Sequence, residues 1–77
     1  MDRIDAIKAF LAAIDEGSLS GAARRLNRSP AAITRTIDFL ESEVGVELLH
    51  RTTRVLRLSD AGERYAIACR QILADLE

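Results

Sequence analysis

Apolar residues recur along this chain with two different periods. Ile4, Ile7, Phe10, Leu11 and Ile14 fall three or four apart, with Arg3, Lys8 and Asp15 between them, which is the stripe of an amphipathic helix. Asp2 supplies an N-cap and Gly17 an end. Ser18 opens a second, shorter helix with Leu19, Ala22, Ala23 and Leu26 on one face, and its alanines permit close packing. Asn27, Arg28 and Ser29 form a short turn, after which Pro30 takes the first helical position behind the Ser29 cap. The third helix carries Ile33, Ile37, Leu40 and Val44 on its apolar side and stops at Gly45. Thr34, Arg35 and Asp38 fall on its polar side.

Between Leu48 and Leu58 the period changes to two. Leu56 and Leu58 alternate with Val55 and Arg57, predicting a hairpin with Thr52 and Thr53 near its tip. Ser59 then caps a last helix whose apolar residues Ala61, Tyr65, Ala68, Ile72 and Leu76 recur nearly every 3.5 residues, the spacing of a seam between helices. Helix, helix, tight turn, helix, hairpin, helix is the order of a winged helix-turn-helix. The predicted fold is therefore mainly α, with a three-helix core, a two-strand wing and a C-terminal linker or dimerisation helix. Its core is expected from Ile7, Phe10, Leu11, Ile14, Leu26, Ile33, Ile37 and Leu40, closed on one side by Leu49, Leu56 and Leu58.

Length restricts what such a fold is able to do. With 77 residues there is one small domain, burying about 60% of the surface it exposes when unfolded, and little room for a catalytic cleft. At 48% apolar and 30% charged the chain has a globular composition. Cys69 and His50 are the only cysteine and histidine. That excludes an intrachain disulfide and a zinc site of three or four protein ligands, so no metal or other cofactor is expected. The usage fits a reducing cytoplasm. No apolar run reaches the roughly 18 residues of a membrane span. The final residues, Leu73 to Glu77, stop inside a helical pattern without a cap, which predicts a longer parent protein with residues 1–58 as one domain and 59–77 as the start of a linker helix.

The net charge of -1 argues at first against a nucleic-acid partner, but its distribution reverses the inference. Arg24, Arg25, Arg28 and Arg35 lie in an acid-free stretch from 21 to 35, and Arg51, Arg54 and Arg57, with His50, in another from 48 to 58. These are the helix-turn-helix and the wing, and a duplex rewards local positive charge by counterion release whatever the total.

Several runs together resemble one family: Ser18-Leu19-Ser20-Gly21-Ala22-Ala23-Arg24-Arg25-Leu26, then Ser29 to Ile37, Leu40-Glu41, Val44 to Leu49, Arg51-Thr52, and Leu58 to Gly62. In order and without gaps, they are similar to the N-terminal DNA-binding domain of LysR-type transcriptional regulators. The resemblance implies a bacterial regulator that binds promoter or operator DNA at an interrupted palindrome. It also implies a homodimer through the linker helix, a higher oligomer in the full-length protein, and a small-molecule effector bound by a further domain. By the same resemblance the recognition helix is 30–44, in the major groove, with Ser29, Pro30, Ala31, Thr34, Arg35 and Asp38 as DNA-contacting positions. The wing, 48–58, would touch the minor groove through Arg51, Thr53 and Arg54. The sequence departs from the family where Pro30 stands at a position commonly Gln, and Asp38 places a carboxylate near DNA; base preference is therefore not transferable.

Arg35 is the leading candidate for a base-edge or adjacent-phosphate contact, with Thr34 beside it. Ser18 and Ser20 are expected to cap the second helix while leaving its N-terminus open to a phosphate. Arg24 and Arg28 fit phosphate clamps or salt-bridge partners, and Arg54 the minor groove. Ala61, Tyr65, Ala68, Ile72 and Leu76 are the expected dimer seam. Cys69, next to that seam, reads as a small buried hydrophobe, and His50 as a wing residue near the DNA backbone. A protein-interaction module is the competing reading, in which the last helix matters and the arginines do not. An enzyme is not expected, because the sequence carries no phosphate-binding glycine loop, metal cluster or nucleophile-base pair.

Overall fold

A computed structural model of the chain describes residues 2–50 and 56–76. In it α1 spans Arg3–Glu16, α2 Leu19–Leu26, α3 Pro30–Val44 and α4 Asp60–Leu76, with strands β1 (Leu49–His50) and β2 (Arg57–Leu58) between α3 and α4. The caps follow the sequence signals. Asp2 accepts from the Ile4 N–H, Ser18 from Gly21 and Ser29 from Ala32, each satisfying a donor that a helix start leaves orphaned. Ser20 does not cap, contrary to expectation. It lies inside α2, and the Ser18 hydroxyl, held 2.9 Å from the Gly21 N–H, takes that role alone. Asn27 ends α2 at φ 56°, a left-handed conformation that Asn tolerates better than most side chains.

The helices close on one apolar core. Ile7, Phe10, Leu11, Ile33, Ile37, Leu40 and Leu49 are buried, as their spacing predicts, while Ile14, Leu26, Leu56 and Leu58 pack against that core partly exposed. Alanines do more than the pattern indicates: Ala6, Ala9, Ala12 and Ala13 of α1 and Ala22 and Ala23 of α2 are all buried. Without bulky side chains there, α1 and α2 approach closely and their backbones fill the space. Thr36 is the one buried polar residue among those described, and its hydroxyl donates to the Ala32 carbonyl at 2.8 Å. That bond offsets the cost of burying it.

Among the described residues the wing's two strands pair antiparallel, Leu49 opposite Leu58 and His50 opposite Arg57. Leu49 and Leu58 turn toward the core; His50 and Arg57 are exposed. The predicted tip residues Thr52 and Thr53, with Val55, lie outside the described residues. Leu48, not foreseen in the core, is fully buried.

α4 splits the predicted seam. Tyr65 is partly buried against the core, its ring centroid 5.9 Å from that of Phe10 on α1, and Ala61 is half-buried. Gly62, Ala66 and Cys69 are the buried positions of the helix. Ala68, Ile72 and Leu76 remain exposed, with Ile67 as an unforeseen fourth. The inner stripe passes through 62, 66, 69 and 73, the predicted spacing displaced by one residue, so the face turned to the core is rotated by about 100° from the predicted seam. Cys69 is buried as expected, and burial pushes its thiol above the usual pKa, away from the reactive thiolate.

Candidate nucleic-acid interface

The α2–α3 turn gathers several of the residues singled out from sequence. Ser20, Ala23, Arg24, Asn27, Arg28, Ser29 and Pro30 line an open concavity of about 600 Å³. It exists because Asn27 reverses the chain in left-handed geometry and Pro30, at the first turn of α3, begins the next helix at once. Ser29 and Pro30 place the positive end of the α3 dipole on its rim. Ser18 is spent on its cap and is not among the lining residues.

Along α3, Ala31, Arg35 and Asp38 are exposed at offsets of four and seven, opposite the buried stripe of Ile33, Ile37 and Leu40. Thr34 is half-buried beside them. Ser42 continues the exposed stripe one turn further; the same spacing argument could have found it.

The arginines divide by partner. Arg25 faces Asp15 at 3.5 Å and Glu16 at 3.6 Å, so although it lies in the basic stretch it is turned to the α1 side. Arg28 approaches Asp5 only at 4.0 Å, a weak exposed pair that a phosphate would readily replace. Arg24 and Arg35 are exposed and, among the described residues, neither is paired with an acid. His50 Nδ1 lies 2.9 Å from Glu47 Oε1, a partner three residues upstream that the sequence reading did not consider. Arg51, Thr53 and Arg54 lie outside the described residues.

A second residue was missed altogether. One carboxylate oxygen of Glu41 accepts from the backbone N–H groups of Leu48 at 2.7 Å and Leu49 at 3.1 Å, tying α3 to the entrance of β1. Sequence spacing carries no signal for such a bond, because its partners are backbone atoms seven and eight residues away.

Comparison with known proteins agrees with this architecture. Residues 4–63 match the model of the bacterial regulatory helix-turn-helix protein, lysR family. The chain is 47% identical over 64 residues, 83% of its length, to the probable HTH-type transcriptional regulator LtrA of Klebsiella pneumoniae. It is 36% identical over its whole length to the HTH-type transcriptional activator AaeR of Escherichia coli K12. It spans only 21% and 25% of those two proteins. Among solved structures, the BenM DNA-binding domain in complex with catB site 1 DNA superposes with a TM-score of 0.92 at 26% identity, covering 99% of this chain and 81% of that one. The complex of the CbnR DNA-binding domain with DNA gives 0.89 at 36% identity, covering 96% and 84%.

Proposed function

Because the chain belongs to the LysR family of bacterial regulatory helix-turn-helix proteins, we propose that it is the sequence-specific DNA-reading domain of a transcriptional regulator. Within it α3 enters the major groove and the wing meets the flanking minor groove. The observation that carries this reading is the contrast among arginines. Arg3 is paired with Glu43, Arg25 with Asp15 and Glu16, and Arg70 with Asp15. Among the described residues Arg24, beside the α2–α3 turn, and Arg35, on the exposed stripe of α3, make no ion pair and are left available for an anion, as are Arg57 on β2 and Arg64 on α4. The two neighbours solved with DNA, BenM and CbnR, share this fold.

In this reading Arg24, Arg28, Ser20 and Ser29 hold phosphates around the concavity, with the α2 N-terminus at Ser18 nearby. Pro30, Ala31, Thr34, Arg35 and Asp38 face base edges or the adjacent backbone, and Arg51, Thr53 and Arg54 serve the wing. The first 58 residues form the reading unit, and 59–77 begin a linker helix. Its exposed Ala68, Ile72 and Leu76, with Ile67, meet a second copy, so that the dimer spans an interrupted palindrome. Effector binding belongs to a further domain of the longer protein. The site of action is the cytoplasm, and the chain itself catalyses no reaction.

Binding of the chain to promoter DNA flanking its own gene, measured at two salt concentrations, tests the reading. Affinity should fall steeply with salt, log K following log salt with a slope of about -0.9 per phosphate contact. Binding that ignores salt would instead favour the protein-interaction reading.

A further inference from the structure

Glu41 joins two parts of the interface that the chain keeps apart. It lies one turn beyond Asp38 on α3, half-buried, and a single oxygen, Oε2, receives the N–H groups of Leu48 and Leu49. Both leucines are buried, and the second begins β1. From the other side the Leu48 carbonyl accepts from the Ser59 N–H at 3.0 Å, and the Ser59 hydroxyl donates to the Glu47 carbonyl at 2.6 Å. The entrance to the hairpin is thus held between α3 and the start of α4.

The chemistry of this clamp makes it directional. Bonds from N–H groups to an ionised carboxylate are roughly twice as strong as neutral ones, and removing the acceptor would leave two amides of buried residues without it. Two consecutive N–H groups converging on one oxygen fix an orientation as well as a distance, since turning β1 about α3 breaks one bond or the other. The register then sets the rest: with Leu49 and Leu58 inward, His50 and Arg57 take the outer face of the hairpin.

We propose that Glu41 is a positioning residue for DNA recognition. By clamping the entrance of β1 to α3, it sets the angle between recognition helix and hairpin, and hence which part of the flanking DNA the hairpin reaches once α3 is seated. This rests on the DNA-binding reading above. Glu41 touches no base in this role. Because one oxygen takes both N–H groups, a glutamine carbonyl is able to replace it, whereas alanine is not.

The test uses amide hydrogen exchange together with two duplexes, one ending at the α3 half-site and one extended over the flank. In the wild-type chain the Leu48 and Leu49 amides are protected and the extended duplex binds more tightly. Glu41→Ala should expose both amides, lower affinity for the extended duplex roughly tenfold, the scale of one lost contact, and leave the short duplex within about twofold. Glu41→Gln, which keeps a neutral acceptor for both amides, should recover part of the loss. Should Glu41→Ala not fold, Glu41→Asp, one methylene too short to hold both groups, must show the same selective loss. Equal losses on both duplexes, an unchanged extended-duplex affinity, or unchanged amide protection would each overturn the proposal. A wild-type chain with protected amides that binds neither duplex would show instead that the DNA reading had failed, and the proposal with it.

Discussion

Asp15 on α1 and Arg70 on α4, 55 residues apart in the chain, meet at 2.7 Å. Arg25 of α2 reaches the same carboxylate at 3.5 Å, so one acid links three helices. The bond from Arg70 holds the Asp15 carboxyl below its usual pKa, against the opposing effect of partial burial, with the charges of Arg70 and Arg25 adding to it.

That depression fixes the sign of a pH effect. Since the folded-state pKa is lowered, the contribution is present above the unfolded carboxylate value of about 3.9 and is lost as pH falls through the folded value. Both side chains are more than a third exposed, so solvent screening limits the contribution to about 0.2 to 1 kcal/mol. Urea unfolding of wild type and Asp15→Asn should differ by that amount at neutral pH and converge in acid. A gap that persisted at pH 2 would show that the substitution acts otherwise than through charge.

Gly62 is a glycine because of what lies over it. A Cβ built there would stand 2.1 Å from the Leu48 carbonyl oxygen, the same oxygen that receives the Ser59 N–H. Gly62→Ala should force the first turn of α4 off the hairpin and cost about 1 to 3 kcal/mol. Thermal or urea denaturation measures it, and a neutral result would mean that α4 and the hairpin are not packed this closely.

Arg35 and Arg24 should lose affinity in different ways. Arg35→Ala is expected to cost about 1 to 3 kcal/mol and to relax preference at one base pair, whereas Arg24→Ala should weaken all sequences alike and reduce the salt slope by about one. Competition binding against a library of single-base operator variants separates the two patterns. A uniform loss for Arg35→Ala would reassign it to the phosphate backbone.

The outer face of α4 should govern assembly. Ile72 is 42% and Leu76 66% exposed, so replacing both with Glu leaves the core untouched but places charge in a helix-helix seam. Sedimentation should show a shift from dimer to monomer, with unfolding of the monomer unaltered and binding to the full palindrome weakened more than to one half-site. Unchanged self-association would remove this face from the dimer.

Local signals were sufficient for much of this molecule. The caps Asp2, Ser18 and Ser29, the stops at Gly17 and Gly45, and the apolar stripe of α3 are decided by short-range chemistry, where a side chain satisfies backbone groups two or three residues away. The family resemblance rests on the same kind of local run and fixed the fold class. Charge was legible too, once read by segment and not as a total.

What sequence could not decide depends on which surfaces meet. That Arg25 turns to Asp15 and Glu16 while Arg24 does not is decided by the packing of α1 on α2, which brings those acids near it. Tyr65 belongs to a plausible heptad, yet the angle at which α4 crosses α1 commits its ring to Phe10. Glu41 reads as an ordinary helix-surface acid until the fold delivers two backbone amides to it. Periodicity along a helix records which face is apolar, since burial free energy acts on each side chain separately; which neighbour covers that face is a property of pairs of elements, and it exists only after they have packed.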